Sequence, residues 1–140
     1  MKIEEVATVE RAVAKKLYKN GTSYIALSAT GDTVNFLPYG GEVGNRYAVL
    51  EPKDGVDGYY LNAVIEMSFP EFHKKSRTGI NFQFETLLTF CVRYHESEQA
   101  RNYIVGLNEV VKSAESNLLK LIDKEKDAKK YYLDGMFPKG

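Results

Sequence analysis

Three side chains near the middle of the chain have the types that nucleophilic chemistry uses. Cys91, Arg93 and His95 recur with the period of two that is typical of a β-strand, so we expect them to share one strand face. Positions i and i+4 of a strand lie about 13 Å apart, whereas a thiol and its activating imidazole must come within about 3 Å. The spacing therefore predicts an outer sheet face, and we assign no catalytic residue.

Two glycine-containing stretches have the composition of ligand-binding loops. Residues 54–58, DGVDG, hold two carboxylates but lack the spacing and the terminal glutamate of an EF-hand. Residues 39–44, YGGEVG, match neither the P-loop nor the Rossmann glycine pattern. The single cysteine excludes an internal disulfide, and no Cys/His cluster offers a set of zinc ligands. Both stretches are predicted to be turns, with no metal and no cofactor.

The most concentrated positive charge lies in the run His73, Lys74, Lys75 and Arg77, directly after Phe72. Cations of this kind neutralise phosphates, and an aromatic ring beside them could stack on an unpaired base. The chain as a whole has 19 basic and 19 acidic residues, so any binding to nucleic acid would have to be local. This run is our candidate nucleic-acid or partner site, and a solvated hairpin tip is the other interpretation.

A second candidate contact lies near the C-terminus, where Tyr131, Tyr132 and Phe137 follow a charged stretch. Tyrosine and phenylalanine are enriched at protein interfaces, and they also stack on bases. The segment could fold back onto the core or dock on a partner, and the sequence does not choose between these.

The elements that must position these residues are a sheet and two helices. A spacing of three and four among the apolar residues predicts an N-terminal helix over residues 3–19. Strict alternation predicts a long antiparallel hairpin, 59–69/81–95. Turn residues separate three shorter strand candidates, which brings the antiparallel sheet to about five strands: 22–29, 33–39 and 46–52.

Residues 96–131 have a helical period, and their apolar residues occupy an arc of about 120°, a width that suits packing on a sheet. Such a helix would be about 52 Å long, whereas a compact domain of this size is about 37 Å across. The excess length favours a homo-oligomer. A coiled-coil seam with three-four spacing is a second possibility, formed by Ala100, Ile104, Leu107, Val111, Ala114, Leu118 and Leu121.

These features predict a single α+β domain over residues 1–140, with the long C-terminal helix packed on the antiparallel sheet. The N-terminus lacks the continuous apolar region of a signal peptide, so we expect a cytoplasmic protein with no membrane association.

The function predicted first is a non-enzymatic binding or accessory protein, inhibitor-like or adaptor-like, that oligomerises and contacts a protein partner. The alternative is a single-stranded nucleic-acid-binding protein that uses the basic run and its aromatic neighbours. A second alternative is a small-ligand carrier whose cavity lies between helix and sheet, lined by Phe82, Phe84, Phe90, Tyr94 and Tyr103.

Overall fold

The computed structural model describes residues 1–77 and 82–136, with the backbone alone described for 126–136. It divides into two compact units, Met1–Val105 and the remainder from Gly106. The fold is α+β, as predicted. The described elements in chain order are α1 (Ile3–Val6), β1 (Ala7–Arg11), β2 (Thr22–Ala26), β3 (Val34–Leu37), β4 (Tyr47–Pro52), α2 (Gly58–Ser76), α3 (Phe84–Leu87) and α4 (Glu98–Met136).

The sheet of the first unit has four antiparallel strands in the order β1-β4-β2-β3, rather than about five. In its register, Leu50 of β4 lies opposite Val9 of β1 on one side and opposite Ser23 of β2 on the other. Thr22 of β2 lies opposite Leu37 of β3. The three short strand predictions are confirmed as β2, β3 and β4.

The predicted N-terminal helix is confirmed only as one turn, Ile3–Val6, and the helical interpretation of residues 7–19 is wrong. Ala7–Arg11 instead pairs with β4 along its whole length. β-Branched Thr8 and Val9 suit a pleated strand better than a helix. Val13 and Leu17, two apolar residues within the predicted helix, are exposed.

The predicted hairpin 59–69/81–95 is wrong, because its first half is the helix α2. Asp57 caps this helix, since its Oδ1 accepts a hydrogen bond from the Tyr59 backbone N–H at 3.0 Å. The buried residues Leu61, Ile65 and Phe69 recur every four positions, so they form one helix face against the sheet. The same three residues are also separated by even numbers, which is why they fit the pattern of a strand.

The second half of the predicted hairpin is mostly irregular within its described part, residues 82–95, and residue 81 lies outside the described residues. Its extended portion pairs with the N-terminus of the chain rather than with the sheet. Ile3 donates its backbone N–H to the Phe90 carbonyl at 2.9 Å, and Val92 donates to the Met1 carbonyl at 2.8 Å. Phe90 and Val92 are buried and Cys91 is exposed. Buried and exposed side chains therefore alternate here as predicted, although this segment is not a strand of the sheet.

The core of the first unit lies between the sheet and α2 and extends to the segment that begins at Phe82. Asn62 on α2 donates a hydrogen bond to Ser23 on β2 at 3.0 Å, which satisfies both buried polar groups. Four phenylalanine rings form the aromatic part of this core: Phe69, Phe72, Phe82 and Phe90.

The long helix predicted over residues 96–131 is confirmed as α4. Within the first unit, Ile104 and Val105 pack against the core. In the second unit, the predicted burial of the apolar stripe is wrong, because Leu107 is 37% exposed and Leu118 is 58% exposed. The stripe therefore presents an open apolar face, and Gly106, where the second unit begins, lies inside the helix.

The start of α2 depends on a close backbone approach between Gly58 and Gly21. A Cβ added to Gly58 would lie 2.6 Å from both the Cα and the carbonyl oxygen of Gly21. We therefore expect Gly58→Ala to lower the free energy of unfolding by about 1–3 kcal/mol, the usual cost of overpacking. Urea denaturation followed by circular dichroism measures this loss.

Gly106→Ala is the matched control for that substitution, because Gly106 is also helical and nothing lies within 4 Å of its added Cβ. Alanine there should raise the free energy of unfolding by about 0.5–1 kcal/mol through helix propensity. Equal stabilities of the two alanine variants would contradict the close approach.

Candidate nucleic-acid interface

The basic run of the sequence lies at the C-terminal end of α2. Lys74 and Lys75 occupy its last turn, and the backbone N–H of Arg77 closes the helix by donating to the His73 carbonyl at 3.0 Å. Cations in this position also complement the helix dipole, so they are locally favourable without a ligand. Beside them is an open cleft of about 530 Å³, lined by Thr30, Asp32, Pro70, Glu71, His73, Lys74 and Arg77.

His73 is 2% exposed and faces inward from this run. Its Nε2 donates a hydrogen bond to the Ser28 carbonyl oxygen at 2.7 Å, and its ring lies 5.6 Å from that of Phe69 and 5.0 Å from that of Phe82. The side chain therefore attaches α2 to the loop after β2, with its apolar edges in the core. In this position it orients the cleft and is not placed to contact a phosphate.

Besides His73, two of the other three basic side chains are already partly engaged. Lys75 pairs with Glu71 at 2.9 Å, and this hydrogen bond lowers the pKa of the Glu71 carboxyl. Arg77 donates from Nη1 to the Ala29 carbonyl at 3.0 Å, which uses one of the five N–H donors of its guanidinium group. Lys74 is exposed and forms no ion pair within the described part of the chain. Lys74 and Arg77 are thus the cations that the cleft can offer to an anion, with Asp32 opposing them.

Phe72, predicted to stack on a base, is half-buried in the aromatic core. Its ring centroid lies 4.9 Å from that of Phe90. Tyr131 and Tyr132 belong to the second unit, where only the backbone of α4 is described, and Phe137 lies outside the described residues. The structure brings Lys74, Lys75 and Arg77 together, but among the side chains that it describes it places no exposed aromatic platform next to them.

Cys91 and His95, the residue types that nucleophilic chemistry would use, contact different groups in the structure. The Cys91 thiol is exposed and lies 3.7 Å from the Thr89 carbonyl oxygen. His95 Nδ1 lies 2.5 Å from the Tyr60 hydroxyl, which also accepts the His95 backbone N–H at 2.7 Å. Burial is the main cause that raises the pKa of Tyr60. These contacts join α2 to the segment before α4 and explain His95 without catalysis.

The residues that were predicted to line a ligand cavity lie in different environments in the structure. Phe82 and Phe90 are part of the packed core, whereas Tyr103 is 68% exposed. Among the described residues, no group of three or more His, Cys, Asp or Glu side chains could hold a metal ion. In the same part of the chain, no helix combines the length and apolarity needed to cross a membrane.

A second surface, which sequence reasoning missed, is formed by the loops 12–21 and 38–46; we call it the paired loops. Tyr18 and Gly41 exchange two backbone hydrogen bonds, at 2.8 Å and 3.0 Å. Gly40 has φ +77°, and a Cβ there would lie 2.5 Å from the Tyr18 carbonyl oxygen. The glycines at 40 and 41 had indicated a turn, but no sequence signal indicates that this turn pairs with Tyr18.

Tyr18 also anchors the first of the paired loops through its side chain. Its hydroxyl donates to Glu10 Oε1 at 3.0 Å and accepts the Val13 backbone N–H at 3.0 Å. Lys16 Nζ lies 2.6 Å from the same carboxylate oxygen. The Lys16 hydrogen bond is the main cause that lowers the pKa of Glu10, and burial is the main cause that raises the pKa of Tyr18.

Comparison with solved structures finds the same fold in S subunits of type I restriction-modification systems. The S subunit from M. genitalium has a TM-score of 0.65 at 13% identity, over 94% of this chain and 43% of that chain. A chain of the type I R-M system, from a structure that addresses complex assembly and conformational transition, has a TM-score of 0.68 at 15% identity, over 96% and 43%. The HsdS subunit from Thermoanaerobacter tengcongensis has a TM-score of 0.58 at 12% identity, over 86% and 38%.

This chain therefore spans about two fifths of the length of the chains that it matches. At these identities, the likeness shows the fold. No family model matches the sequence, and no curated protein matches it.

Proposed function

We propose that this chain is a non-enzymatic DNA-binding and assembly module, comparable to part of an S subunit. The observation that carries the proposal is the structural likeness to such subunits over 94% and 96% of this chain. Restriction and modification are reactions on DNA, so this likeness favours nucleic-acid binding over an accessory protein that contacts only other proteins. In this proposal the first unit contacts DNA and α4 provides the contact between subunits.

The DNA contact is proposed at the cleft beside the end of α2, through Lys74 and Arg77. Phe72 is half-buried, and the described lining of the cleft offers no other aromatic ring for an unpaired base, so backbone phosphates of a duplex fit it better than a single strand. Each cation that neutralises a phosphate contributes about 0.9 to the slope of log K against log salt concentration. Because few cations are available, affinity should be modest and its salt dependence shallow.

The contact between subunits is proposed along the exposed apolar stripe of α4. Large apolar residues aligned on one helix face are typical of an interface, because water contact with such a stripe is unfavourable. The three-four spacing of the stripe suits a helix of a second copy. The matched S subunit is more than twice as long as this chain, so a second copy is the occupant that we propose for the stripe.

The test of DNA contact is the substitution Lys74→Gln. We expect about fivefold weaker binding to a duplex of about 20 base pairs, and a salt slope reduced by about 1, because one phosphate contact is lost. Fluorescence anisotropy over a series of salt concentrations measures both quantities. A single strand of the same length, measured alongside, should bind more weakly than the duplex.

Lys120→Gln is the matched control, because Lys120 is also an exposed helical lysine but lies in the middle of α4, in the second unit. Its affinity and salt slope should equal those of the unsubstituted protein. Failure of the unsubstituted protein to bind duplex at low salt would refute DNA binding. Equal losses in the two variants would refute the cleft as its site.

A further inference from the structure

A groove in the first unit lies between α2 and the first turns of α4. It consists of two adjoining open cavities of about 480 Å³ and about 220 Å³, both lined by Arg93, His95 and Ile104. Binding sites for small molecules usually have volumes of about 300–1,000 Å³, so the groove has the size of such a site. The larger cavity extends to Ser97, Gln99 and Tyr103, and the smaller one to Val64, Met67 and Ser68.

The Arg93 side chain gives this groove a positive charge. Arg93 is exposed, and within the described part of the chain its guanidinium group takes part in no ion pair. Its backbone is held by the Tyr60 hydroxyl, which lies 3.3 Å from the Arg93 carbonyl oxygen. Among the described residues, neither cavity has a carboxylate in its lining. The groove therefore offers an anionic ligand a cation that no protein carboxylate occupies.

His95 adds a second hydrogen-bond donor beside Arg93. Its Nδ1 lies 2.5 Å from the Tyr60 hydroxyl, so Nε2 is the ring nitrogen that remains for a ligand. When the hydroxyl donates to Nδ1, Nε2 carries the proton, and an anion in the groove favours this tautomer. Tyr60 is buried and also accepts the His95 backbone N–H at 2.7 Å, so the imidazole is held in place before a ligand binds.

Tyr103 supplies an accessible aromatic ring in the larger of the two cavities. Its side chain is 68% exposed, and it lies one helical turn before Leu107, the first exposed leucine of the α4 stripe. An exposed ring of this kind stacks on unpaired bases of any sequence. A cation beside an aromatic ring is the combination that the sequence predicted at Phe72, and the tertiary structure forms it instead from Arg93 and Tyr103.

The combined lining favours a nucleotide over other anions. Inorganic phosphate or a single carboxylate would engage the two donors and leave the ring uncovered, whereas a nucleotide uses both. A base within a duplex exposes only its edges, so stacking on Tyr103 requires an unpaired base. Ser97 and Gln99 offer a hydroxyl and an amide to the same ligand. Ser97 Oγ accepts the Ala100 backbone N–H at 3.1 Å, which leaves its hydroxyl proton to be donated.

We propose that this groove binds a nucleoside monophosphate, with the phosphate between Arg93 and His95 Nε2 and the base stacked on Tyr103. Ser97 and Gln99 contact the sugar or the edge of the base. The site goes beyond the DNA contact proposed at the end of α2, because it uses other residues and takes a different ligand. The two proposals can therefore fail separately.

Isothermal titration calorimetry with adenosine 5′-monophosphate tests the site. We expect a dissociation constant below about 1 mM, and binding of adenosine and of inorganic phosphate that is weaker by at least about tenfold, because each lacks part of the contacts. Arg93→Gln should reduce the affinity for the nucleotide about tenfold and leave that for adenosine unchanged, because only the nucleotide has a phosphate.

Tyr103→Ala should weaken nucleotide binding about tenfold, whereas Tyr103→Phe should retain it, because the phenylalanine ring still stacks. Tyr39→Ala is the matched control, since Tyr39 is 88% exposed in the same unit and lines neither cavity. It should bind the nucleotide like the unsubstituted protein.

Absence of nucleotide binding by the unsubstituted protein would overturn the groove as a site, and the DNA-binding function would stand or fall on the Lys74→Gln experiment. The nucleotide assignment is also wrong if inorganic phosphate binds as tightly as the nucleotide, or if Tyr103→Ala and Tyr39→Ala bind it equally well. A short single strand with a 5′-phosphate, titrated into the nucleotide complex, identifies the source of the ligand. Displacement extends the site to strand ends, and no displacement restricts it to free nucleotides.

Discussion

Leu118→Glu is expected to convert the dimer that we propose for this protein into a monomer. Leu118 belongs to the three-four seam of α4 and is 58% exposed in the single chain, so a second copy would bury it. A two-fold interface would bury two unpaired glutamates, at a cost of at least about 3 kcal/mol, which raises the dimer dissociation constant more than a hundredfold. Sedimentation velocity over a concentration series measures this change.

The neighbouring leucine provides a stringent control for this experiment. Leu119 is 63% exposed, nearly the same as Leu118, but it lies about 100° further around the helix and outside the seam. Leu119→Glu should leave the dimer intact while adding the same charge one residue away. The proposed interface is refuted if the unsubstituted protein is monomeric at high concentration, or if both variants dissociate to the same extent.

Phe69→Ala is expected to cause the largest loss of stability in the first unit. The Phe69 side chain is 0% exposed, and its ring lies 5.7 Å from that of Phe82 and 5.8 Å from that of Phe90. Truncation of a buried phenylalanine typically costs about 3–5 kcal/mol, because a cavity remains. This is a large part of the 5–15 kcal/mol that stabilises an ordinary domain. Thermal and urea denaturation, followed by circular dichroism, measure the loss.

Met67→Ala is the comparison for that substitution, because Met67 is on the same helix and is 47% exposed. Its effect should be within about 0.5–1 kcal/mol. A similar loss in both variants would mean that Phe69 does not occupy the core position described here. A loss confined to Phe69→Ala would support α2 as a buried helix and exclude a strand at this position.

One face of α2 packs into the core, and another face presents Lys74 to the cleft. Phe69 and His73 point into the core, and His73 holds the loop that follows β2, while Lys74 is exposed beside the cleft. Substitution of Lys74 should therefore change DNA affinity without changing stability. Substitution of Phe69 should affect DNA binding only through unfolding, so a binding assay at low temperature, where the variant remains folded, distinguishes the two causes.

The sequence by itself predicted the α+β class, the three short strands and the long helix α4. These elements are determined by local patterns: strands between clear turn residues, and an apolar stripe that persists over many helical turns. The same local reasoning failed at α2, because Leu61, Ile65 and Phe69 fit a period of two as well as a helical one. Only the Asp57 cap and the packing of that face against the sheet distinguish the two.

In the candidate site, too, some features follow from local sequence patterns and others only from tertiary contacts. Its cations could be located from the sequence, because charge type and proximity along the chain are enough to identify a basic run. The tertiary structure alone decided that His73 and Phe72 turn inward, that Gly40 and Gly41 pair with Tyr18, and that the α4 stripe is exposed. The physical reason is that burial and pairing depend on contacts between residues far apart in the chain, and periodicity within a segment carries no information about which partner covers it.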